Sequence, residues 1–113
     1  MIKIEAIIRP QKLDEVKTAL DEIGLTGLTV SHVMGCGKQR GRTQHYRGQE
    51  YTINLLDKVK IETVVADDMV ENVMNAIADA ASTGDIGDGK IFAFKIDDAM
   101  RIRTREKGEE AIA

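Results

Sequence analysis

The stretch Gly35-Cys36-Gly37-Lys38-Gln39-Arg40-Gly41-Arg42-Thr43-Gln44-His45-Tyr46-Arg47-Gly48-Gln49-Glu50-Tyr51 stands between two apolar strands and divides the chain into two similar halves. It is polar, punctuated by glycine and far longer than a hairpin turn. A connection of this length without secondary structure of its own is uncommon inside a small domain, and is usually functional or disordered. Its charge points to function. From Gly37 to Lys60, six basic residues (Lys38, Arg40, Arg42, Arg47, Lys58, Lys60) stand against two acidic ones (Glu50, Asp57), so the segment carries +4 in a chain of net charge −3 and the remainder carries −7. A positive loop on an acidic body suits a specific anionic ligand or partner.

Working outward, Leu28, Val30 and Met34 alternate with Thr29, Ser31 and Val33 as a strand entering the loop, and Val59, Ile61, Val64 and Val65 read as the strand leaving it. Ile2, Ile4, Ala6 and Ile8 alternate with Lys3, Glu5 and Arg9 as a half-buried first strand whose polar face Ile7 interrupts. Pro10 sits where the first turn of a helix tolerates it, Leu13, Val16, Leu20 and Ile23 follow at helical spacing, and Gly24 supplies the stop. Asp67 or Asp68 is placed to cap a second helix with the stripe Val70, Val73, Met74, Ile77 and Ala81. Ser82 to Lys90 is a glycine-rich loop, and Ile91-Phe92-Ala93-Phe94-Lys95-Ile96 is a nearly continuous apolar strand. Met100 and Ile102 predict a short final strand, with a charged, loosely ordered segment from Glu106 onward.

A shift of 57 residues lays Lys3-Ile4-Glu5 on Lys60-Ile61-Glu62, Ile8 on Val65, Leu13 on Val70, Val16 on Val73 and Leu20 on Ile77. The pattern βαβ, long loop, βαβ predicts an α+β ferredoxin-like sandwich, an antiparallel sheet covered on one face by two helices. The 113 residues make one domain with a modest core, and an apolar content of 42% argues against wholesale disorder. Aromatics are only 4% and Trp is absent, which favours burial of extra surface in a homo-oligomer. The single Cys36 leaves no intrachain disulfide framework and fits a reducing cytosol. No apolar run approaches membrane-spanning length, and the first residues are charged too early for a secretory signal.

Thr83-Gly84-Asp85-Ile86-Gly87-Asp88-Gly89-Lys90 invites a phosphate-binding reading: its glycines let backbone N–H groups approach an anion, and Lys90 neutralises it. Gly-x-x-x-x-Gly-Lys is present, but Ile91 stands where a hydroxyl should hold magnesium and the loop runs from helix to strand. An ordinary P-loop is therefore excluded, while a nucleotide cradle and a plain glycine-rich turn both remain open. Arg101-Ile102-Arg103-Thr104-Arg105 would aim three guanidinium groups to one side of an extended segment, a fork suited to phosphate oxygens or to a charged edge strand. His32, Cys36 and His45 lack the spacing of a tetrahedral metal site. Cys36 has no evident base, His45 sits in the loop, and the carboxylates are scattered, so no nucleophilic or acid–base constellation emerges. RNA binding lacks both an aromatic stacking platform and a basic balance, since the pI is about 5.4.

In combination, Tyr46-Arg47-Gly48-Gln49-Glu50-Tyr51, Thr83 to Phe92, and Arg101-Ile102-Arg103-Thr104 resemble the PII nitrogen-regulatory signal proteins, the GlnB/GlnK group, and Ile7 to Leu13 fits as well. The resemblance runs over essentially the whole chain. It implies a non-enzymatic cytoplasmic homotrimer with nucleotide sites at the subunit clefts, a T-loop of about residues 37–55, a nucleotide-binding loop at 82–90 and a C-terminal segment at 101–113. ATP or ADP would compete for the cleft, and 2-oxoglutarate would bind with Mg-ATP. In that reading Gly87, Asp88, Gly89 and Lys90 wrap the nucleotide, Gly37, Lys38 and Gln39 close its phosphate side, and Arg101 and Arg103 reach across from the neighbouring subunit. Thr29, Glu62 and Val64 line the base and ribose. Gln39 helps hold Mg²⁺ and the 2-oxo acid, Lys58 pairs with a 2-oxoglutarate carboxylate, and Arg40, Gly41 and Gly87 complete that site.

The T-loop tip, Tyr46, Arg47, Gly48, Glu50 and Tyr51, would meet partners. An ammonium transporter, plugged by Arg47, is the leading one, recruiting the protein to the inner face of the membrane, with nitrogen-metabolism enzymes as others. Tyr51 is the position a uridylyl- or adenylyltransferase modifies, and Gln49 replaces the serine phosphorylated in cyanobacterial relatives. Three departures stand out. Cys36 replaces a common aromatic, Asp57 sits where it would compete for Lys58, and Arg105 replaces a frequent glycine. The competing readings are a CutA-like metal-responsive or structural trimer of the same fold, which lacks these motifs, and a weak ATPase, for which no base is evident.

Overall fold

A computed structural model describes residues 1–37, 43–46, 49–52 and 55–113, with residues 43–46 and 49–52 described by their backbone pairing. The elements run β1 (Ile2–Ile8), α1 (Leu13–Glu22), β2 (Thr29–Gly35), β3 (Thr43–Tyr46), β4 (Gln49–Thr52), β5 (Leu56–Val65), α2 (Val70–Ala81), β6 (Lys90–Lys95) and α3 (Glu109–Ile112). Four strands form an antiparallel sheet in the order β2-β5-β1-β6, and β3 pairs with β4 as a separate ribbon. This is the ferredoxin-like arrangement the two-half pattern predicts.

Register decides which residues meet the helices. Ala6 lies opposite both Ile61 and Ile91, and Ile8 opposite Val59, so these side chains share one face. They form a single core with Ile4 and Val65, and α1 and α2 close it with Val16, Leu20, Val73, Ile77 and Ala81. Each large side chain buried there contributes about 1.5–3 kcal/mol relative to exposure. The 57-residue shift survives in detail. A 3-10 turn at Pro10–Lys12 leads into α1 at Leu13, and one at Asp67–Met69 leads into α2 at Val70.

The opposite face carries an ion ladder: Lys3 sits 3.0 Å from Glu62 and 3.7 Å from Glu5, and Lys60 sits 3.5 Å from Glu62. Phe92 and Phe94 stand on the same face opposite Glu5 and Lys3, and both are exposed.

Several expectations need correction. In β5 the buried row is Val59, Ile61, Thr63 and Val65, which turns Val64 to the open face. Thr63 is tolerated inside because its hydroxyl donates to the Gly27 carbonyl at 2.7 Å. Val30 and Met34 share the helix-side rows yet remain 38% and 60% exposed, because β2 is an edge strand and the core centres on β1 and β5. Neither Asp67 nor Asp68 caps α2 through its side chain; Asp67 instead accepts from the amino group of Met1 at 2.8 Å. The final strand does not form. Residues 102–104 turn tightly, leaving only a bridge between Met100 and Lys107, and the segment expected to be loose contains α3.

Candidate functional site

The connection from α2 to β6 is organised by Asp88. Its carboxylate accepts from the Thr83 and Gly84 amides at 2.8 and 3.0 Å, the Thr83 hydroxyl at 2.5 Å, and Arg9 Nε at 3.1 Å. The Thr83 hydroxyl above all, then the Thr83 amide, holds this carboxyl well below its ordinary range; Arg9 and the Gly84 amide add to the effect and burial opposes it. Arg9 also donates from Nη2 to the Ile86 carbonyl at 2.9 Å, so one residue at the end of β1 grips the loop twice. Asp88, expected to wrap the nucleotide, is thus also the strut that shapes the loop.

Gly84, Gly87 and Gly89 take φ of +88°, +105° and +105°. At Gly89 the need is steric as well: a Cβ there would stand 1.7 Å from the Ile7 carbonyl oxygen. The loop must press directly on the β1 backbone before Lys90 enters β6 opposite Ile7.

Lys58 ties this loop to the long one. It lies on β5 opposite Val33, and its Nζ donates to the Gly87 carbonyl at 2.8 Å. Burial, followed by the nearby Arg9 charge, lowers the Lys58 pKa, while Asp88 acts the other way. The expected competition from Asp57 does not follow the geometry. Consecutive strand residues face opposite sides of a sheet, and Asp57 pairs with Met34 on the helix-side row.

The remaining candidates divide into groups. Thr29 and Glu62 are directly paired across β2 and β5, and Val64 stands opposite Lys3, so these three share the open face. The Lys3 ammonium is the main cause of a lowered Glu62 pKa. Gly37 is exposed just beyond the end of β2. Tyr46 ends β3 opposite Gln49, while Glu50 and Tyr51 lie in β4 opposite His45 and Gln44. Lys38, Gln39, Arg40, Gly41, Arg47 and Gly48 lie outside the described residues.

Arg101 and Arg103 do not line one side of a strand. Arg103 is exposed in the turn, and Arg101 folds toward the C-terminal segment, where Nη2 reaches the Ala113 carbonyl at 2.8 Å. Arg105, the frequent-glycine position of the resemblance, takes φ +65°, a conformation that favours glycine.

The geometry suits a polyphosphate. Glycine amides with positive φ can approach an anion closely, Arg9 and Lys58 already contact the loop, and Lys90 follows it. Arg9 was the residue sequence reading missed. Its signal was its place before Pro10 in the Ile7–Leu13 motif, but alternation assigned it only to a strand's polar face. Among the described residues no group of three His, Cys, Asp or Glu side chains is placed to hold a metal ion.

A family model for nitrogen regulatory protein P-II matches residues 1–106. The chain is 59% identical over 112 residues to the nitrogen regulatory protein P-II of Rhodospirillum rubrum, covering 99% of this chain and 100% of that protein. The Azospirillum brasilense protein of the same description is 56% identical with the same coverage. Among solved structures, Arabidopsis thaliana PII bound to citrate superimposes with a TM-score of 0.80 at 44% identity, covering 97% of this chain and 90% of that one. These matches set aside the CutA-like reading. Sequence, sheet order and full-length similarity agree, and the chain belongs to the PII family of nitrogen regulatory proteins, non-enzymatic signal proteins that act by binding effectors.

Proposed function

We propose that this chain senses adenine nucleotide and 2-oxoglutarate and passes the result to nitrogen-assimilation partners through residues 37–55. The observation that carries the reading is the 2.8 Å hydrogen bond from Lys58 to the Gly87 carbonyl. It joins the strand that leaves the long loop to the glycine-rich loop, so a ligand that engages either one acts on both. ATP or ADP would lie against Gly87, Gly89 and Lys90, with Thr29, Glu62 and Val64 toward the base and ribose and Gly37 and Lys38 toward the phosphates. Arg101 and Arg103 of a neighbouring subunit would complete the cleft in a homotrimer. Asp88 contributes by holding the loop.

Mg²⁺ would bring ATP phosphates and a 2-oxo acid into one coordination shell, with Gln39 beside it. Lys58, with Arg40, Gly41 and Gly87 nearby, would take a 2-oxoglutarate carboxylate, exchanging a neutral carbonyl acceptor for a charged one, the stronger hydrogen bond. Differential affinity of that ligand for loop conformations is what converts its concentration into shape. The tip, Tyr46 to Tyr51, then selects partners: an ammonium transporter first, a uridylyl- or adenylyltransferase acting on Tyr51, or a nitrogen-metabolism enzyme. The protein works in the cytoplasm and reaches the membrane only through such a partner. No helix of the described residues is long and apolar enough to cross a membrane.

Calorimetric titration with ATP, ADP, and Mg-ATP followed by 2-oxoglutarate tests the reading. Binding of both nucleotides, with 2-oxoglutarate binding only after Mg-ATP, is expected. Absence of 2-oxoglutarate binding under those conditions defeats the carbon-sensing part and leaves nucleotide sensing; absence of nucleotide binding defeats both.

A further inference from the structure

The C-terminal segment makes two contacts with residues assigned above to nucleotide binding, Arg101 toward a neighbouring subunit's cleft and Val64 in this chain's own. The first is Arg101, whose guanidinium is nearly consumed by the chain that follows it. Its Nη2 donates to the backbone oxygens of Ala113 at 2.8 Å, Glu110 at 3.3 Å and Ala111 at 3.4 Å, and Nη1 to the Glu106 carboxylate at 3.4 Å. The last carbonyls of a helical turn have no partner within it, and Arg101 supplies one.

The second contact is a cleft of about 810 Å³ lined by Glu109–Ala113 on one side and by Gly24–Gly27 and Thr63–Ala66 on the other. Val64 is among its lining residues, and Gly27 is the carbonyl partner of Thr63. The turn of α3 therefore faces, across this cleft, the Val64 wall assigned to this chain's own base, and it holds Arg101, which is assigned to the phosphates of a neighbouring subunit's nucleotide.

A set of short contacts keeps the segment there. Gly108 donates its amide to the Ala99 carbonyl at 3.0 Å, Lys107 pairs with Asp98 at 3.0 Å, and the Arg101 amide reaches the Glu106 carbonyl at 2.9 Å. Gly108 takes φ +69° and ψ −145°, a region that favours glycine strongly. A Cβ built on it meets nothing within 4 Å, so an alanine there stresses only the backbone.

We infer that residues 106–113 act as an internal ligand for Arg101 that competes with the phosphates of a nucleoside di- or triphosphate. Carbonyls and phosphate oxygens draw on the same few N–H groups, so Arg101 serves one or the other. Glu109 and Glu110 travel with the clasped form and disfavour an approaching anion. A binding-competent state populated in about one molecule in ten lowers apparent affinity about tenfold. This inference rests on the nucleotide reading proposed above.

The test compares ATP binding by the full chain, by Gly108→Ala and by a chain lacking residues 109–113, with amide exchange at Ala111 followed in the full chain. ATP is expected to bind both altered chains several-fold more tightly. In the full chain it should speed exchange at the Ala111 amide, which is bonded to the Gly108 carbonyl at 3.0 Å. Unchanged or weaker binding by both altered chains, or an Ala111 amide equally or better protected with ATP, overturns the competition while nucleotide binding stands. No ATP binding by the full chain overturns the nucleotide reading and this inference with it.

Discussion

The half that begins at β1 and the half that begins at β5 bury matching side chains: Ile8 with Val65, Val16 with Val73, and Leu20 with Ile77. Three of the positions that depart from the match stand out. Ala6 corresponds to Thr63, whose hydroxyl holds the Gly27 carbonyl. Gly24, at φ +85° just past the end of α1, corresponds to Ala81, which is still helical and buried. Arg9 corresponds to Ala66 and has no basic counterpart. The Thr63 departure serves a contact between the halves, and the Arg9 departure serves the loop after α2. The core tolerates repetition because any apolar stripe of the right period fills it. A site needs particular donors at particular distances, and those appear where the repeat is broken.

The largest test of this comparison removes core volume from each half. Leu20→Ala and Ile77→Ala should each cost about 2–5 kcal/mol by urea denaturation. Losses within that common range support equivalent halves; a negligible loss in either would break the equivalence. Gly89→Ala comes next, because a positive φ and a collision with the Ile7 carbonyl act together. It should cost about 1–3 kcal/mol from strain alone. His32, the corresponding position under the shift, is exposed on an edge strand, and His32→Ala should fall within about 0.5 kcal/mol of the parent.

Thr63→Ala makes the second half resemble the first at the Ala6 position. It removes one part-buried hydrogen bond and should cost about 1 kcal/mol in the same assay. The smallest effect is local and depends on pH. The folded Asp88 carboxyl is held below its ordinary value of 3.8. Its contribution is therefore present above that value and lost only as pH falls through the lower folded value. Exchange protection at the Thr83 and Gly84 amides should persist through pH 3.8 and fail below it. Asp88→Asn should reduce the protection and remove this acid dependence. Protection already lost well above pH 3.8 would contradict the proposed strut.

The halves were legible because burial repeats with the period of each element: Val16 and Leu20 on one helix stripe, Ile4, Ala6 and Ile8 on one strand row. Parity failed at Val64-Val65, where two adjacent apolar residues hide which one faces inward; the register with β1 settles it. The role of Arg9 is not legible in the sequence because its partner Asp88 lies 79 residues away. Arg101 to Arg105 alternates like a strand, yet local bonds override the pattern. Thr104 Oγ1 donates to Glu106 at 2.7 Å and the Arg105 amide to the Arg101 carbonyl at 2.8 Å, closing a turn that alternation does not reveal.

The pairing of Gly35 with Leu56, where β2 and β5 meet at their loop ends, has a consequence for how this chain tolerates change. Everything between those two residues is a closed excursion whose ends are fastened by the sheet. The entropy of closing such an excursion grows only with the logarithm of its length, about 0.6 kcal/mol for each doubling. Insertions and deletions near the tip therefore leave the domain folded, and selection can rewrite that surface for a new recipient while the sheet beneath it stays the same.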